Sequence, residues 1–183
     1  MKIAFGYKAG SGKDTCVDYL IKKHGGKKIA FSEPLYDILN YAQNICGFEH
    51  TKDRKFLQFI GTEWGRETNP NIWVELALKK CCNTSNNFYC SDVRFLNEFE
   101  ALRNNGWTLI KLVRDEDILR IGNGNTNHVS ETQLDLLPDG KWDYIIDNNG
   151  TLEDLYVKLD KIVSYNISYV NSIALSQIAN TYF

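Results

Sequence analysis

Short runs of apolar residues alternate along the chain with longer segments in which apolar positions recur every three or four residues. The short runs predict β-strands at residues 2–6, 28–31, 88–91, 107–113 and 144–146. The longer segments predict helices at residues 15–24, 33–46, 53–67, 71–81, 96–104 and 152–163, and Ser32 is the predicted N-cap of the second. Strands that alternate with helices indicate a parallel sheet covered on both faces. We therefore predict an α/β fold with three layers (α/β/α) around a five-stranded parallel sheet.

Two connections in this pattern are longer than a simple crossover between parallel strands. They cover residues 32–87 and 114–142, and extra residues of this kind commonly build a substrate pocket or a lid. Residues 166–183 are moderately apolar and predict a C-terminal helical tail. The sequence contains no convincing linker, so residues 1–183 are predicted to form a single domain.

Composition and charge restrict the functional classes to which this chain could belong. Lysine and arginine number 21, aspartate and glutamate 23, and the net charge is −2, so the basic excess typical of proteins that bind long nucleic acids is missing. No apolar stretch approaches the length of a membrane span and no signal peptide precedes the first strand, so we expect a cytoplasmic protein. The spacing of the five cysteines matches no zinc site.

A glycine-rich loop follows the first predicted strand and opens a helix. Its sequence is Gly6-Tyr7-Lys8-Ala9-Gly10-Ser11-Gly12-Lys13-Asp14-Thr15. Glycines allow backbone N–H groups to converge on phosphate oxygens, and the positive end of the helix dipole adds to the attraction. We therefore predict a P-loop that binds ATP, in which Lys13 reaches the β- and γ-phosphates. Its phosphate-binding residues would be Gly10, Ser11, Gly12, Lys13, Asp14 and Thr15.

Two positions depart from the usual pattern GxxxxGK[ST]. The pattern puts its first glycine at position 7, where this chain has Tyr7, and Gly6 stands one place early. Either the loop is one residue longer or Tyr7 tolerates the turn. Asp14 replaces the hydroxyl residue that normally contacts Mg²⁺. We predict that Thr15 takes this role from the next position or that Asp14 acts through water.

The residues after the third strand distinguish between classes of P-loop protein. A hydrolytic ATPase usually carries a second acid directly after an aspartate here, but Asp92 is followed by Val93 and Arg94, and no NKxD sequence for reading guanine is found. A kinase of small molecules instead needs arginines around the transferring phosphoryl group and a lid that excludes water. The candidate arginines are Arg54, Arg66, Arg94, Arg114 and Arg120.

Polar residues recur at four-residue intervals in the first long connection: Arg54, Gln58, Thr62 and Arg66. On a helix they form one drifting stripe, which either reads a base and its phosphate or is the solvated side of an amphipathic helix. Trp64 and Trp73 either stack on a base or pack as buried aromatics, of which burial is the commoner role. The pattern leaves these alternatives open.

Six motifs, in order along most of the chain, resemble those of the deoxynucleoside monophosphate kinases of large phages and DNA viruses. They are Gly12-Lys13-Asp14-Thr15, Phe31-Ser32-Glu33-Pro34-Leu35, Gln58 with Gly61-Thr62-Glu63, Asp92-Val93-Arg94-Phe95-Leu96-Asn97-Glu98, His128-Val129-Ser130-Glu131, and Asp143-Tyr144-Ile145-Ile146-Asp147-Asn148-Asn149-Gly150. The Lys-Asp step also occurs in the related animal phosphomevalonate kinases, so it does not fix the substrate.

This resemblance implies a P-loop kinase fold that uses ATP and Mg²⁺ to convert deoxynucleoside monophosphates to diphosphates. Residues 32–87 would form the acceptor-binding helical region and residues 114–142 the lid. The location would be the host cytoplasm if the chain is viral, and some members of the family are homodimers. The alternatives are a kinase of another phosphorylated acceptor, such as phosphomevalonate or dephospho-coenzyme A, and a regulatory protein that binds ATP without turning it over.

Residue roles follow from the resemblance and from the polar stripe together. The catalytic residues would be Lys13, Asp92, Arg94, Arg114 and Arg120. The acceptor would be bound by Arg54, Gln58, Trp64, Arg66, Asp92, Arg94 and Glu131. Thr15 and Asp14 would help to bind Mg²⁺, and His128 and Glu131 would lie near the hinge of the lid. The alternative for the motif that contains these last two residues is a helix start capped by Ser130.

Overall fold

The computed structural model describes residues 1–81, 86–115 and 129–179. Its strands are β1 (Lys2–Gly6), β2 (Lys27–Ile29), β3 (Phe88–Val93), β4 (Thr108–Val113) and β5 (Tyr144–Asp147). Its α-helices are α1 (Lys13–His24), α2 (Glu33–Cys46), α3 (Arg54–Gln58), α4 (Gly65–Thr68), α5 (Ile72–Lys79), α6 (Leu96–Asn104), α7 (Val129–Thr132) and α8 (Leu152–Ala179). A π-helix (Phe59–Trp64) joins α3 to α4, and two 3₁₀ turns (Gln133–Leu136 and Asp139–Lys141) follow α7.

The five strands form one parallel sheet in the order β2-β3-β1-β4-β5. At its centre, Ile3 of β1 pairs with Tyr89 of β3 on one side and with Thr108 of β4 on the other. The helix that follows β1 packs on one face of the sheet, and the helix that follows β3 packs on the opposite face. Such a switch point opens a crevice at the carboxyl ends of the strands, where ligands of open α/β sheets bind.

Side chains of β1 alternate between two apolar cores, as the two-residue period of a strand requires. Ile3 and Phe5 pack with residues of α1 and α8, including Leu159. Ala4 packs on the other face with residues of α5 and α6, including Phe99. Helices cover both faces of a parallel sheet, so the predicted three-layer α/β/α fold is confirmed.

The predicted helix at residues 53–67 is helical over nearly that range, but its middle is the π-helix. The indole Nε1 of Trp73 donates to the carbonyl oxygen of Gly61 at 2.8 Å. Gly65 lies against the same indole, because a Cβ added there would come within 2.4 Å of the ring. A tryptophan from α5 thus packs into this helical turn, and π-helical turns are frequent at functional sites.

Some boundaries differ from the predicted ones. The third strand runs to Val93, so Asp92 lies inside β3 rather than after it. Helix α1 begins at Lys13, two residues before the predicted start. The predicted tail continues the last helix, which is helical through Ala179. Within the described part of the chain, no helix combines the length and the apolarity that a membrane crossing requires.

Ser32 stands immediately before α2, where its residue type favours an N-cap. The side chain makes no capping bond, and that prediction is wrong. Its hydroxyl instead donates to Oδ2 of Asp92 at 2.7 Å. The Asp92 carboxylate is the stronger acceptor and accepts the hydrogen bond of this hydroxyl, which ties the start of α2 to the end of β3.

Candidate active site

The glycine-rich loop has the geometry of a phosphate cradle. Gly10 and Gly12 have φ of 79° and 100°, and Tyr7 has a φ of 97°, the conformation that glycine normally supplies. Of the two alternatives for the first turn, the one in which Tyr7 tolerates it is therefore correct. The Tyr7 ring lies beside two cations, with the ammonium of Lys111 4.3 Å and that of Lys8 5.1 Å from its centroid.

Lys13 is folded into this loop. Its ammonium donates to the carbonyl oxygens of Tyr7 (3.1 Å) and Lys8 and to the hydroxyl of Ser11 (3.2 Å), and the residue is only 6% exposed. Burial, and then the positive charge of Arg94, lower the pKa of Lys13 to about 8. A phosphate at the mouth of the loop would offer this cation the counter-charge that loop carbonyls lack.

Asn148, after β5, holds the loop from outside, a role that the sequence pattern did not indicate. Its side-chain Nδ2 donates to the carbonyl oxygen of Ser11 at 2.8 Å, and its backbone N–H donates to Val113 at 2.8 Å. A Cβ on Gly12 would come within 2.6 Å of that Nδ2. The sequence offers one weak signal, since an amide residue follows a strand that ends at the same edge of the sheet as the loop.

Asp14 is bound away from the loop. One carboxylate oxygen, Oδ1, accepts both from the ammonium of Lys28 and from the hydroxyl of Ser91, each at 2.6 Å. Burial is the largest influence on the pKa of Asp14 and would raise it, but these two bonds and the charges of Lys28 and Lys13 outweigh it and lower the pKa. The carboxylate is therefore an anion at neutral pH.

The oxygen donors around the start of α1 suit Mg²⁺, which takes one or two carboxylates together with phosphate oxygens and water. Asp14 and Asp92 supply carboxylates, and Thr15 and Ser91 supply hydroxyls. Within the described residues, no cluster of three or more His, Cys, Asp or Glu side chains is built to hold a metal ion. The donor set thus fits an ion that is bound together with phosphates.

Asp92 organises the junction between β3 and the first long connection. Its Oδ2 accepts from the backbone N–H of Ser32 at 2.9 Å as well as from the hydroxyl of that residue, and its Oδ1 accepts from the N–H of Phe31 at 3.2 Å. The motif that begins with Phe31 and the motif that begins with Asp92 therefore meet in space. The carboxylate also acts electrostatically on Lys13.

Glu131 joins the phosphate loop to Arg94. Its Oε2 accepts from the backbone N–H of Ala9 at 3.1 Å, and its Oε1 accepts from Nη1 of Arg94. The ammonium of Lys8 donates to its carbonyl oxygen at 2.8 Å. Both side chains of the ion pair are mostly buried, since Arg94 is 27% and Glu131 19% exposed. The structure thus brings together Lys13, Arg94, Glu131 and Asp92.

Glu98 anchors the backbone of Arg94. The residue belongs to one of the six motifs, but this role was not predicted from the sequence. Its Oε2 accepts from the backbone N–H groups of Arg94 (2.7 Å) and Phe95 (3.0 Å), and its Oε1 accepts from Nη2 of Arg66 at 2.6 Å. Burial raises the pKa of Glu98 to about 7, against the opposing charge of Arg66. A glutamate three residues after a helix N-cap is the sequence signal that indicates such a bond.

The predicted acceptor-binding residues of the helical region do not share one environment. Arg66 turns inward, with its guanidinium 3.7 Å above the Phe95 ring, whereas Arg54 is exposed and Gln58 is half-buried. The two tryptophans also differ in burial. Trp73 is buried at 3% exposure, as the commoner role predicted, but Trp64 is 53% exposed, so its predicted burial is wrong.

Of the two arginines predicted on the lid side, only Arg114 lies among the described residues. Arg114 follows β4, and its buried Nε has no hydrogen-bond partner within the described residues. The neighbouring Asp115 is tied to the loop after β5, because its backbone N–H donates to Asn149 at 2.9 Å. Arg120 and His128 lie outside the described residues.

In comparison with solved structures, the fold of this chain is similar to that of several small-molecule kinases. A gluconokinase from Sinorhizobium meliloti 1021 matches with a TM-score of 0.55 and 17% identity, covering 92% of this chain and 95% of that one. Shikimate kinase from Aquifex aeolicus vf5 matches with a TM-score of 0.55 and 12% identity, covering 93% and 98%. Identities this low establish the P-loop kinase fold and nothing finer.

Comparison of sequences is more specific. A protein of Acanthamoeba polyphaga mimivirus named "Putative deoxynucleotide monophosphate kinase" is 29% identical over 193 aligned positions, which cover 88% of this chain and 95% of that protein. "Uncharacterized protein ORF77" of Ictalurid herpesvirus 1 (strain Auburn) is 38% identical over 140 residues, 73% of this chain, and the matched part spans 58% of that viral protein. The family model described as deoxynucleotide monophosphate kinase matches residues 49–159, more than half of the chain. The chain belongs to the deoxynucleotide monophosphate kinase family.

Proposed function

We propose that this protein transfers the γ-phosphoryl group of ATP to a deoxynucleoside monophosphate and so supplies DNA precursors. The observation that carries the proposal is the contact chain from Ala9 through Glu131 to Arg94. It sets an arginine at the end of β3 against the mouth of a phosphate loop. A kinase whose acceptor is itself a phosphate needs a cation for the acceptor as well as a cradle for the donor.

The donor side would be the loop itself. The phosphates of ATP would lie along Gly10, Ser11, Gly12, Lys13, Asp14 and Thr15. Lys13 would leave its carbonyl partners for the β- and γ-phosphates and neutralise charge as it spreads over the transferring group. Mg²⁺, held by Thr15 and by Asp14 through water, would supply further positive charge to the phosphates when bound.

The acceptor side would lie between β3 and the helical region. Arg94 and Asp92 would adjoin the acceptor phosphate, with Arg114 and Arg120 approaching from the lid side. Trp64 offers an exposed aromatic face for a base, and Gln58 offers an amide. Arg54, Arg66 and Glu131 complete the proposed acceptor set, although Arg66 is already paired with Glu98 and Glu131 with Arg94.

The chemistry needs little beyond positioning and charge. An oxygen of the acceptor phosphate, already anionic, would attack the γ-phosphorus in line, and the bond to the β-phosphate oxygen would break. No general base is required, because no proton has to be removed from this nucleophile. Holding the two phosphates in line would therefore account for most of the rate acceleration.

An acceptor panel tests this proposal. The purified protein is incubated with ATP and Mg²⁺, and ADP release is followed with dTMP, dGMP, dCMP, dAMP, the four ribonucleotides, phosphomevalonate or dephospho-coenzyme A. We expect release that depends on at least one deoxynucleotide. Release that depends only on a non-nucleotide acceptor would replace the proposed substrate class. Binding of ATP with no acceptor-dependent release would indicate a regulatory nucleotide-binding protein.

A further inference from the structure

Glu131 places a negative charge between two groups that could bind phosphate. One carboxylate oxygen accepts from an N–H group of the phosphate loop, at Ala9, and the other accepts from the guanidinium of Arg94. The carboxylate thus bridges the donor cradle and the proposed acceptor arginine. It is 19% exposed, so most of it lies within the site rather than in solvent.

The groups that bind this carboxylate would also bind a phosphate oxygen. Backbone N–H groups of a glycine-rich loop and an arginine guanidinium form charge-assisted bonds with either kind of anion. The charge of Glu131 also acts on Lys13, where it opposes the lowering of the pKa of that residue. In the structure, Glu131 therefore partly balances the positive charges of Lys13 and Arg94.

We propose that Glu131 is a carboxylate placeholder, which holds the position of a substrate phosphate in the empty enzyme and yields it when the phosphate binds. The inference rests on the proposed function only in naming that phosphate as the transferring group. Two anions cannot share one pair of donors, so the phosphate and the carboxylate compete. A phosphate carries more charge and more oxygens than a carboxylate, and it can also engage Lys13.

This exchange would give Arg94 two successive partners. While Glu131 holds its guanidinium, the arginine is orientated but not available to the γ-phosphate of ATP or to the acceptor phosphate. Binding of the donor and acceptor phosphates would release Arg94 from Glu131. A placeholder of this kind would keep the site assembled without substrate, at a cost in phosphate affinity that a variant can reveal.

Whether phosphate affinity rises or falls when Glu131 is replaced distinguishes a placeholder from a residue that simply binds substrate. We expect Glu131→Gln, which keeps the shape and one acceptor oxygen but loses the charge, to bind inorganic tripolyphosphate at least about fivefold more tightly than the wild type. Glu131→Ala should also bind it more tightly. The measurement is the Kd by isothermal titration calorimetry, with thermal melting to verify that each variant is folded.

Asp135 provides a matched control. It is a carboxylate on the same segment and pairs with Lys8, yet it contacts neither Ala9 nor Arg94 in any described bond. Asp135→Asn should change the Kd of tripolyphosphate by no more than about twofold, as expected for a partly exposed ion pair. Equal tightening in Asp135→Asn and Glu131→Gln would reduce the effect to net charge and overturn the proposal.

Unchanged or weaker binding of tripolyphosphate by both Glu131 variants would also overturn it. Tripolyphosphate has no base or sugar and requires no acceptor, so this result does not depend on which monophosphate is the substrate. If the acceptor panel fails while the Glu131 variants still bind tripolyphosphate more tightly, the proposed function falls and the placeholder stands.

Discussion

Glu98 binds Arg66 with one carboxylate oxygen, at 2.6 Å, and the backbone of Arg94 with the other, at 2.7 Å. The pair is almost completely buried, with the two side chains 2% and 14% exposed. One carboxylate thus connects the helical region to the end of β3. In the proposed site, the element that would bind the acceptor is held against the arginine that would bind its phosphate.

The raised pKa of Glu98 makes stability depend on pH. Between about pH 4.5 and 7 the folded protein keeps a proton on Glu98 that the unfolded chain has lost, so the free energy of unfolding falls as pH rises through this window. Glu98→Gln should remove this contribution, which changes the free energy of unfolding across the window by an amount on the order of a few kcal/mol. Urea unfolding of both proteins at pH 5 and pH 8 measures the difference. An identical pH dependence in the two proteins would contradict the assignment.

The positive φ of Tyr7 predicts an unusual order of substitutions. Glycine adopts this conformation without strain, so Tyr7→Gly should stay within about 1 kcal/mol of the wild type despite losing the ring contacts with Lys8 and Lys111. A β-branched residue is the least suited to it, and Tyr7→Val should lower the free energy of unfolding by about 1–3 kcal/mol. Equal losses in both variants, measured by urea unfolding, would show that the backbone is not strained there.

Lys13 predicts a pH dependence of ATP binding. With a pKa of about 8, Lys13 loses its charge as pH rises above 8, and a bound phosphate would raise that pKa. ATP affinity should therefore fall between pH 7 and pH 9, with net proton uptake on binding near pH 8. Calorimetry in buffers of different ionisation enthalpy measures both. Lys13→Arg, which stays charged, should lose the uptake. Proton-independent binding by the wild type would contradict the prediction.

The two tryptophans of the helical region should separate function from stability. Trp73 is buried and donates to Gly61, so Trp73→Ala should cost about 3–5 kcal/mol in the free energy of unfolding. Trp64 is half-exposed, and Trp64→Ala should change that free energy by less than about 1 kcal/mol while raising the KM for the monophosphate. Unchanged KM in a folded Trp64→Ala protein would remove Trp64 from the acceptor site.

Much of the fold could be predicted because its signals are local. The apolar run at β1 and the loop that ends in Lys13 follow from periodicity and glycine chemistry over a dozen residues. The π-helix could not be predicted in this way. It involves an indole that arrives from α5, which is a contact between elements rather than a property of residues 53–67.

Whether a site residue could be predicted also depends on how local its signal is. Lys13, Asp92 and Arg94 stand at strand ends or in the loop, so their sequence positions already indicate one edge of the sheet. Glu98 and Asn148 were missed because their roles depend on partners 32 and 137 residues away. Ser32 was predicted as a cap for the converse reason. Its neighbours in sequence favour a cap, but its hydroxyl donates instead to a carboxylate 60 residues later.

Phosphoryl transfer from ATP to a deoxynucleotide, with Lys13 at the donor phosphates, can be measured directly. We would incubate ATP labelled at the γ-phosphorus with each deoxynucleoside monophosphate and separate the products by chromatography. The wild type should form a labelled deoxynucleoside diphosphate, and Lys13→Ala, although folded, should form it at least about 10³-fold more slowly. Absence of labelled diphosphate with every deoxynucleotide, or near-normal transfer by Lys13→Ala, would contradict the claim.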